Sequence, residues 1–415
     1  MSLTSVELFA GAGGLAMGVA LAGFRSLAVV EWDRWACDTL RENQARGFPL
    51  VAGWPIHEGD VREWVDAFDC ESNRGHVDLV AGGPPCQPFS MGGRHRAHLD
   101  QRDMFPTTID VIRRLEPRAF IVENVKGLTR ASFHNYFEYI KLHLEFPGES
   151  RRPDESWSDH LRRLERHKTS RRVADGLRYN VFPHLTNAAN HGVAQRRERV
   201  FIVGFRSDVK VDWSFPRETH SLDALLHDQW VSGVYWDWHR VPVSARPSPP
   251  RLLESQIARL RGLGLLPMHS RWRTVRDALS GLPEPSTGVD DASFMNHRLQ
   301  LGARPYPGHT GSPIDLPAKT LKAGDHGVPG GENMLVRPDG SVRYFTARES
   351  ARLQAFPDGF ALHGSWTEIM RQLGNAVPVT LARVVAASVA ERLLTSDVAG
   401  LLARRPEAQP GLLAH

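Results

Sequence analysis

The sequence predicts an α/β protein with a mostly parallel sheet, helices on both faces and a second domain that is rich in loops. Short apolar runs alternate with helix-length amphipathic stretches up to Arg206, a pattern typical of parallel sheets. Beyond Arg206 the alternation stops, and Trp, Pro and Gly residues become frequent. At 415 residues the chain is long enough for two or three domains.

The alternation gives each element a predicted position along the chain. The predicted strands cover residues 6–9, 27–31, 77–81, 119–122 and 200–205. The predicted helices in this part cover residues 15–22, 34–44 and 104–115. After the loop-rich stretch, Thr346 and Glu349 form a capping box that predicts a helix start, and a further helix is predicted over residues 380–394.

A strongly charged segment, residues 147–172, interrupts the alternation. Pro147 and Gly148 would end any preceding helix, and the arginines and the lysine that follow predict an inserted surface helix. We favour a solvated face for this helix over a contact with a DNA backbone.

The composition is that of a cytosolic protein. A net charge of +4 and a pI near 9.1 are compatible with a polyanionic partner, but many cytosolic enzymes are this basic. The cysteines, Cys37, Cys70 and Cys86, are too few and too scattered for a disulfide framework or a zinc site, so we expect a reducing compartment and no metal. The amino terminus lacks the features of a signal peptide, and no apolar run approaches membrane-spanning length, so we expect no membrane segment.

Cys86 has the sequence context of a reactive thiol. It lies in the segment GGPPCQPFS, residues 82–90, directly after a predicted strand. The two preceding prolines fix the backbone and remove two amide donors, so the thiol is presented on a stiff loop. Nucleophiles are often presented to a cleft in this way. The alternative is a small buried core cysteine, which a Gly-Gly-Pro-Pro turn disfavours.

A glycine loop, residues 9–14 with the sequence FAGAGG, joins the first predicted strand to the first predicted helix. Its glycines allow a tight turn and a close approach of a ligand to the helix amino terminus. Glu31 ends the second strand, where a carboxylate can bind ribose hydroxyls. Trp32 could lie against an adenine, and Asp60 could accept from its exocyclic amine. This pattern alone fits NAD, FAD or S-adenosylmethionine.

Several motifs occur in a fixed order along most of the chain. They are LFAGAGG (8–14), EWD (31–33), GD (59–60), GGPPCQPFS (82–90), ENV (123–125), QRRERVFIVG (195–204), RESARLQAFPD (348–358) and GNAVP (374–378). In this order they resemble the DNA (cytosine-5)-methyltransferases of the bacterial restriction-modification type.

The resemblance implies a fold and a division of the chain. The fold would be a Rossmann-like S-adenosylmethionine-dependent methyltransferase domain with a smaller, loop-rich target-recognition domain. The catalytic and cofactor-binding domain would comprise residues 1–206 and 370–396, and the target-recognition domain residues 207–342. Residues 343–369, with the RESARLQAFPD motif, would form a hinge region, and residues 397–415 a carboxy-terminal tail.

The resemblance also implies a role for each matching residue. Cys86 would be the nucleophile, Glu123 would contact ring nitrogen 3 of the base, and Arg199 would contact its carbonyl oxygen with Arg197 in support. The cofactor-binding residues would be Phe9, Gly11, Gly13, Gly14, Glu31, Trp32, Asp60, Val61, Asn375 and Val377. The carbonyl of Pro84 would accept from the exocyclic amine of the base.

The residues expected to contact DNA fall in two groups. Ser90, Arg94 and Arg96 lie in a segment, residues 90–100, that resembles the mobile loop of the family. The other candidates belong to the loop-rich region and are Arg304, Lys319, Thr320, Leu321 and Lys322. Within this second group the Thr-Leu pair resembles a short recognition element of the family, and basic side chains are the commonest readers of guanine.

The expected partner is double-stranded DNA, bound by a cytoplasmic, nucleoid-associated monomer whose modification would protect host DNA from a separately acting restriction endonuclease. Three alternatives remain. The substrate could be tRNA, as in one branch of the family. The chain could be a non-catalytic DNA-binding paralogue, although Cys86, Glu123 and Arg199 are intact. The glycine loop by itself also permits a nicotinamide-dependent oxidoreductase, in which Cys86 would have no role.

Overall fold

The computed structural model describes residues 2–85, 103–170, 176–264, 267–287, 294–307, 310–323 and 333–403, with side chains to residue 397. Cys86, Ser90, Arg94 and Arg96 lie outside the described residues. The predictions for these four side chains therefore stay predictions.

A seven-stranded sheet forms the centre of the fold. Its strands are β1 (Leu3–Leu8), β2 (Phe24–Glu31), β3 (Ile56–Glu58), β4 (Leu79–Gly82), β5 (Ala119–Val125), β6 (Tyr179–Asn187) and β7 (Glu198–Arg206). The spatial order is β3-β2-β1-β4-β5-β7-β6. The first five strands in this order are parallel, and β7 runs antiparallel to both β5 and β6. The predicted α/β class with a mostly parallel sheet is confirmed.

Helices cover both faces of this sheet. Those from the amino-terminal part are α1 (Gly14–Leu21), α2 (Arg34–Ala45), α3 (Val61–Ala67), α4 (Cys70–Asn73), α5 (Phe105–Leu115), α6 (His134–Glu145) and α7 (Trp157–Thr169). On one face, Val6 and Phe120 of the strands pack with α3, α5 and α6. On the other face, Leu79 and Ile121 pack with α1 and with the carboxy-terminal helix.

The region after β7 consists mainly of loops, short strands and helices, as predicted. Its elements up to residue 344 are β8 (His220–Ser221), α8 (Leu222–Trp230), α9 (Val234–Trp238), α10 (Glu254–Leu263), β9 (Ser270–Arg271), α11 (Val275–Leu279), β10 (Ser312–Pro313), β11 (Met334–Val336) and β12 (Val342–Tyr344). The remaining helices are α12 (Ala347–Leu353), α13 (Trp366–Asn375) and α14 (Val379–Ala403). The capping box predicted at Thr346 and Glu349 is present at the start of α12.

The inserted charged segment contains the predicted helix, α7, which packs against α6 through Leu164. Several of its basic side chains are paired with acids of the same segment or of α6. Arg163 contacts Glu149 at 2.7 Å and Glu155 at 2.9 Å, and Lys168 contacts Glu145 at 2.7 Å. These ion pairs support the predicted solvated face, because basic side chains that are already paired with acids are not free to contact DNA phosphates.

One helical stretch of the described residues, Trp366–Asp397, has the length and apolar composition of a membrane span, contrary to the expectation that no run approaches that length. Of the most apolar part of this stretch, 67% is buried inside the protein. Leu381, Val385 and Val389 of α14 pack against the sheet and α1. The packing of a core helix accounts for its apolar character.

Candidate active site

A cavity of about 350 Å³ opens at the carboxyl ends of β1, β2, β4 and β5. Parallel α/β sheets commonly bind ligands at this edge. The residues that line it are Phe9, Ala10, Gly11, Leu15, Glu31, Trp32, Asp33, Ala36, Gly83, Pro84, Pro85, Glu123, Asn124, Val125, Arg199, Arg371, Gln372, Gly374, Asn375, Ala376 and Val377. The cavity therefore brings together six of the predicted cofactor residues and the predicted base-contacting residues Pro84, Glu123 and Arg199, whereas Gly13 and Gly14 do not line it. The six are Phe9, Gly11, Glu31, Trp32, Asn375 and Val377.

The glycine loop forms one wall through an unusual backbone path. Phe9 and Gly11 both have positive φ, 53° and 54°, and Phe9 is the rarer case because it carries a side chain. Gly14 begins α1 with its Cα close to the segment after α13: an added Cβ would lie 2.3 Å from the Val377 carbonyl oxygen. Only glycine allows this approach, so Gly14 shapes the cavity from behind it.

Glu31 ends β2 and is held by backbone amides. Its Oε2 accepts from the Gly11 amide at 2.6 Å, and its Oε1 accepts from the amides of Trp32 at 3.0 Å and Asp33 at 2.8 Å. Burial raises the pKa of Glu31 above its ordinary value, although the three amides favour the charged form. The neighbouring Trp32 has 75% of its surface exposed, so its indole is open to a flat ligand.

Asp60 and Val61 are not among the residues that line the cavity, and their assignment as cofactor residues stays a prediction. The Asp60 carboxylate caps α3 by accepting from the Arg62 amide at 2.8 Å, and it pairs with the Arg62 guanidinium at 2.6 Å. This pairing lowers the pKa of Asp60. Val61 is buried in the core below α3. The Asp60 carboxylate, which was predicted to accept a hydrogen bond from a ligand, is therefore paired with Arg62 in this structure.

Asn375 and Val377 complete the cofactor side of the cavity. Asn375 is exposed at the end of α13, and Val377 is buried directly after it. Beside them, Arg371 lines the cavity while pairing with Asp33 at 2.8 Å and Glu368 at 2.6 Å.

Glu123 and Arg199 form a buried ion pair on the other side of the cavity. The two residues lie on adjacent antiparallel strands, β5 and β7, and their side chains are 8% and 11% exposed, respectively. Nε of Arg199 lies 2.8 Å from Oε1 of Glu123. Burial raises the pKa of Glu123 above its ordinary value, against the opposing effect of Arg199. A carboxyl group with a raised pKa, Glu123, therefore lies next to the positively charged Arg199.

Pro84 lines the same cavity as this pair, and its carbonyl accepts a hydrogen bond from Nδ2 of Asn124 at 2.9 Å. The sequence identified Asn124 only as part of a motif, and this contact was not expected. Its position directly after Glu123 was the available signal.

Arg371 and Gln372 line the cavity without any signal in the sequence that we recognised.

Arg197 supports the site without lining the cavity. Its side chain is fully buried and donates to the carbonyls of Leu321 at 3.1 Å, Gly374 at 2.7 Å and Ala376 at 2.8 Å. These bonds agree with the predicted supporting role and argue against direct contact with a substrate. Arg197 therefore holds backbone carbonyls in this structure, and its place among the catalytic candidates stays a prediction.

The candidate DNA-binding residues of the loop-rich region differ in accessibility. Thr320 donates to the Arg196 carbonyl at 2.7 Å, and Leu321 is buried with its amide donating to Gln195 at 3.3 Å. Lys319 is partly buried and donates to Thr310, whereas Arg304 and Lys322 are exposed. Leu321 therefore anchors its segment to the start of β7 rather than presenting its side chain to DNA. Within the described residues, no group of three or more His, Cys, Asp or Glu side chains could hold a metal ion.

Replacing Arg197 tests its role as a structural link. Arg197→Met leaves three buried carbonyls without their donor, and we expect the free energy of unfolding to fall by about 3–5 kcal/mol. Denaturant unfolding would measure it. Arg196→Met is the matched control, because the Arg196 side chain is exposed and should contribute less than about 0.5 kcal/mol. Equal losses in the two variants would contradict the assignment.

The family model of C-5 cytosine-specific DNA methylases matches residues 3–148, 160–237 and 297–391 of the chain. Among curated relatives, the type II methyltransferase M.Eco47II of Escherichia coli is 30% identical, over 94% of this chain and 79% of its own length. M.AplI of Arthrospira platensis is 29% identical over 93% and 85%, respectively. M.NgoMIV of Neisseria gonorrhoeae is 28% identical over 95% and 99%.

Two solved structures share the fold. A prophage-encoded protein of E. coli, described as a DNA modification methyltransferase, aligns with a TM-score of 0.57 at 20% identity, over 95% of this chain and 100% of its own. The Dnmt2 methyltransferase of S. pombe aligns with a TM-score of 0.51 at 19% identity, over 95% and 99%. The extent of the family match identifies the chain: it belongs to the C-5 cytosine-specific DNA methylase family.

Proposed function

We propose that the chain transfers a methyl group from S-adenosylmethionine to carbon 5 of a cytosine flipped out of duplex DNA, with Cys86 as the nucleophile. The observation that carries the proposal is the shared cavity. Glu123, Arg199 and the Pro84 carbonyl line it together with Glu31, Trp32 and Asn375. A base and a methyl donor bound there would be neighbours, as a direct transfer requires.

The cofactor side of the cavity fits S-adenosylmethionine, which supplies its methyl group from a sulfonium. Glu31, fixed by three amides, is suited to ribose hydroxyls. The exposed Trp32 indole is suited to a purine ring. Asn375 and the Phe9 turn would complete the pocket.

The base side supplies groups for the chemistry of cytosine. Carbon 5 is a weak nucleophile until a thiolate adds to carbon 6, which makes the ring an enamine. Addition forms the bond between the sulfur of Cys86 and carbon 6, and Glu123 would deliver a proton to nitrogen 3 as charge develops there. Arg199 would hold the carbonyl oxygen. Once carbon 5 carries the methyl group, a base such as water takes the carbon 5 proton, the thiolate leaves carbon 6, and nitrogen 3 returns its proton to Glu123, which restores the neutral aromatic ring.

The target base must leave the helix, because a stacked cytosine is closed to attack above carbon 6. Flipping costs a few kcal/mol. The segment 90–100, with Arg94 and Arg96, would offset this cost through phosphate contacts, and exposed Arg304 and Lys322 are candidates for contacts to DNA. The relatives are named type II methyltransferases, which supports a role in protecting host DNA from a restriction endonuclease.

The defining experiment is methylome sequencing of cells that express the chain or its Cys86→Ser variant. We expect 5-methylcytosine at one recurrent duplex sequence with the wild-type chain and none with the variant, because the hydroxyl is a far weaker nucleophile than the thiolate. Labelled methyl donor offered in vitro with duplex DNA or with tRNA separates the two substrate classes. Methylation by Cys86→Ser, or label in tRNA alone, would overturn the proposal.

Glu123 variants test the proton delivery. Glu123→Ala should lower kcat by about 10²–10⁴-fold, and Glu123→Gln, which keeps a neutral donor, should lose less. Since burial raises the pKa of Glu123, its protonated form persists above the ordinary range, and the contribution falls as pH rises through the raised pKa.

The pH profile of kcat should therefore have a descending limb in the wild type that Glu123→Gln lacks. Glu198→Gln is the control, because Glu198 is an exposed partner of Lys126 outside the cavity and its variant should keep that limb. An unchanged limb in Glu123→Gln would exclude the role.

Trp32 tests the cofactor side. Trp32→Ala removes the exposed indole and should weaken binding of S-adenosylmethionine about tenfold or more, measured by calorimetry, because stacking of a base on an aromatic ring is worth about 1–3 kcal/mol. Trp238→Ala is the matched control, since Trp238 is equally exposed at 76% but lies outside the cavity. Equal affinities in the two variants would exclude the assignment.

A further inference from the structure

The connection between β6 and β7, residues 188–197, contacts the loop-rich region at two separate places. In the second half of the connection, the Ala194 carbonyl accepts from the Ala318 amide at 2.9 Å. In its first half, the Asn190 carbonyl accepts from the Thr219 amide at 3.0 Å. One contact therefore lies near the start of the loop-rich region and the other near its end.

Both ends of the Asn190 side chain are hydrogen-bonded at the first of these places. Its Oδ1 accepts from Nε1 of Trp272 at 2.9 Å, and its Nδ2 donates to Oε1 of Glu218 at 2.5 Å. An indole nitrogen can only donate and a carboxylate can only accept, so the partners define which end of the amide is oxygen. The two bonds therefore hold the amide in one orientation.

The partners of Asn190 belong to both strands of the small sheet β8–β9. Glu218 and Thr219 directly precede β8, whereas Trp272 directly follows β9. The strands are joined to each other, because the Thr219 carbonyl accepts from the Ser270 amide at 3.0 Å. One asparagine therefore holds the two-stranded sheet as a unit against the β6–β7 connection.

Trp272 joins this anchor to the core of the loop-rich region. Its side chain packs against a buried cluster that consists of Leu225, Tyr235 and Trp236. The cluster lies on α8 and α9. A shift of Trp272 relative to Asn190 would therefore move these helices as well, since closely packed side chains transmit displacements.

The close approach of β8 to the connection depends on a glycine. Gly192 has a positive φ of 82°, and a Cβ added to it would lie 2.9 Å from Cε1 of His220. A larger residue at this position would be strained and would push the imidazole ring away. The hydrogen bonds of Asn190 therefore belong to a closely packed contact.

We propose that Asn190 is a specificity-determining positioning residue, whose side-chain amide fixes the angle of the loop-rich region against the sheet and so places its base-reading side chains on the target sequence. The proposal rests on the proposed function, because it requires that the loop-rich region reads DNA. Asn190 does not line the cavity, so it would touch neither the flipped base nor the methyl donor. Without this anchor, the region could turn about the remaining contact at Ala318.

Loss of the anchor should reduce discrimination between DNA sequences. Contacts to bases distinguish the target from a near-cognate sequence only where they are formed. A region that turns away from the DNA loses more on the target, where every contact can form, than on a sequence where one is already missing. We therefore expect the ratio of kcat/KM for the target to kcat/KM for a near-cognate duplex to fall by about fivefold, the effect of one net hydrogen bond.

The ratio is measured with labelled methyl donor and two duplexes. One carries the recurrent sequence found in the methylome, and the other differs from it by one base pair outside the target cytosine. Asn190→Ala removes both side-chain bonds, and Trp272→Phe removes only the indole donor, which keeps the test available if Asn190→Ala does not fold. Both variants should lower the ratio and should bind S-adenosylmethionine, measured by calorimetry, with the affinity of the wild type.

Asn180→Ala is the matched control. Asn180 is an exposed asparagine near the start of β6, where it pairs with Phe205 of β7, whereas Asn190 follows the end of this strand. Its variant should keep the ratio of the wild type.

A charge exchange tests the hydrogen bonds themselves. Asn190→Asp keeps the acceptor for Trp272 but places a carboxylate against that of Glu218, and like charges in contact repel each other. Adding Glu218→Gln supplies an amide that can donate to the new carboxylate. We expect Asn190→Asp alone to lower the ratio and the double variant to restore it.

The outcomes are distinct. A lowered ratio in Asn190→Ala and Trp272→Phe, restored in the double variant, supports the proposal. Equal losses on the two duplexes mean that Asn190 only stabilises the fold, and an unchanged ratio means that the anchor does not set specificity; either result overturns the proposal, as does a double variant no better than Asn190→Asp. A wild-type chain that methylates no duplex overturns the proposed function instead.

Discussion

The guanidinium of Arg197 has no exposed surface and joins two distant parts of the chain to the start of β7. It donates to Leu321 in the loop-rich region and to Gly374 and Ala376 on either side of Asn375. Burying a guanidinium costs free energy unless its N–H groups make hydrogen bonds. The hydrogen bonds from Arg197 therefore keep the three carbonyls in fixed positions relative to one another. Arg199 lies two residues further along the chain, on β7, and is therefore also held in position relative to these carbonyls. Arg199 and the segments that contain Leu321 and Asn375 are therefore positioned by one side chain.

Burial also sets the charge state of the site. Glu123 has a cation within ion-pair distance, which by itself would favour the carboxylate, yet desolvation is the larger effect and raises its pKa. A carboxyl group that is to donate to a ring nitrogen needs its proton near neutral pH, and an arginine that is to hold an oxygen must stay charged. Burial can cause a carboxyl group to take up a proton, whereas a guanidinium keeps its proton and its charge. The same desolvated environment therefore suits both roles.

The sequence predicted five of the seven strands of the sheet because their hydrophobic periods are regular. It singled out Glu31 because this residue ends a strand, whereas Glu123 and Arg199 were assigned from the resemblance of their motifs. It did not predict β6, a largely exposed edge strand with Pro183 in its middle, since edge strands need neither a continuous apolar face nor every amide. The bonds of Arg197 join residues 124 to 179 positions apart, and no local pattern encodes such contacts.

The family match omits residues 238–296, which lie between segments that do match. This stretch is tied to its surroundings by polar contacts: Thr274 bonds with the Tyr235 hydroxyl at 2.9 Å, and Arg276 pairs with Asp315 at 2.6 Å. Its helix α10 packs with α8 through Ile257 and Leu260 in a small core separate from the sheet. A stretch with its own core can change in sequence while the cavity keeps its geometry. The sequence of this stretch can therefore vary independently of the geometry at Glu123 and Arg199.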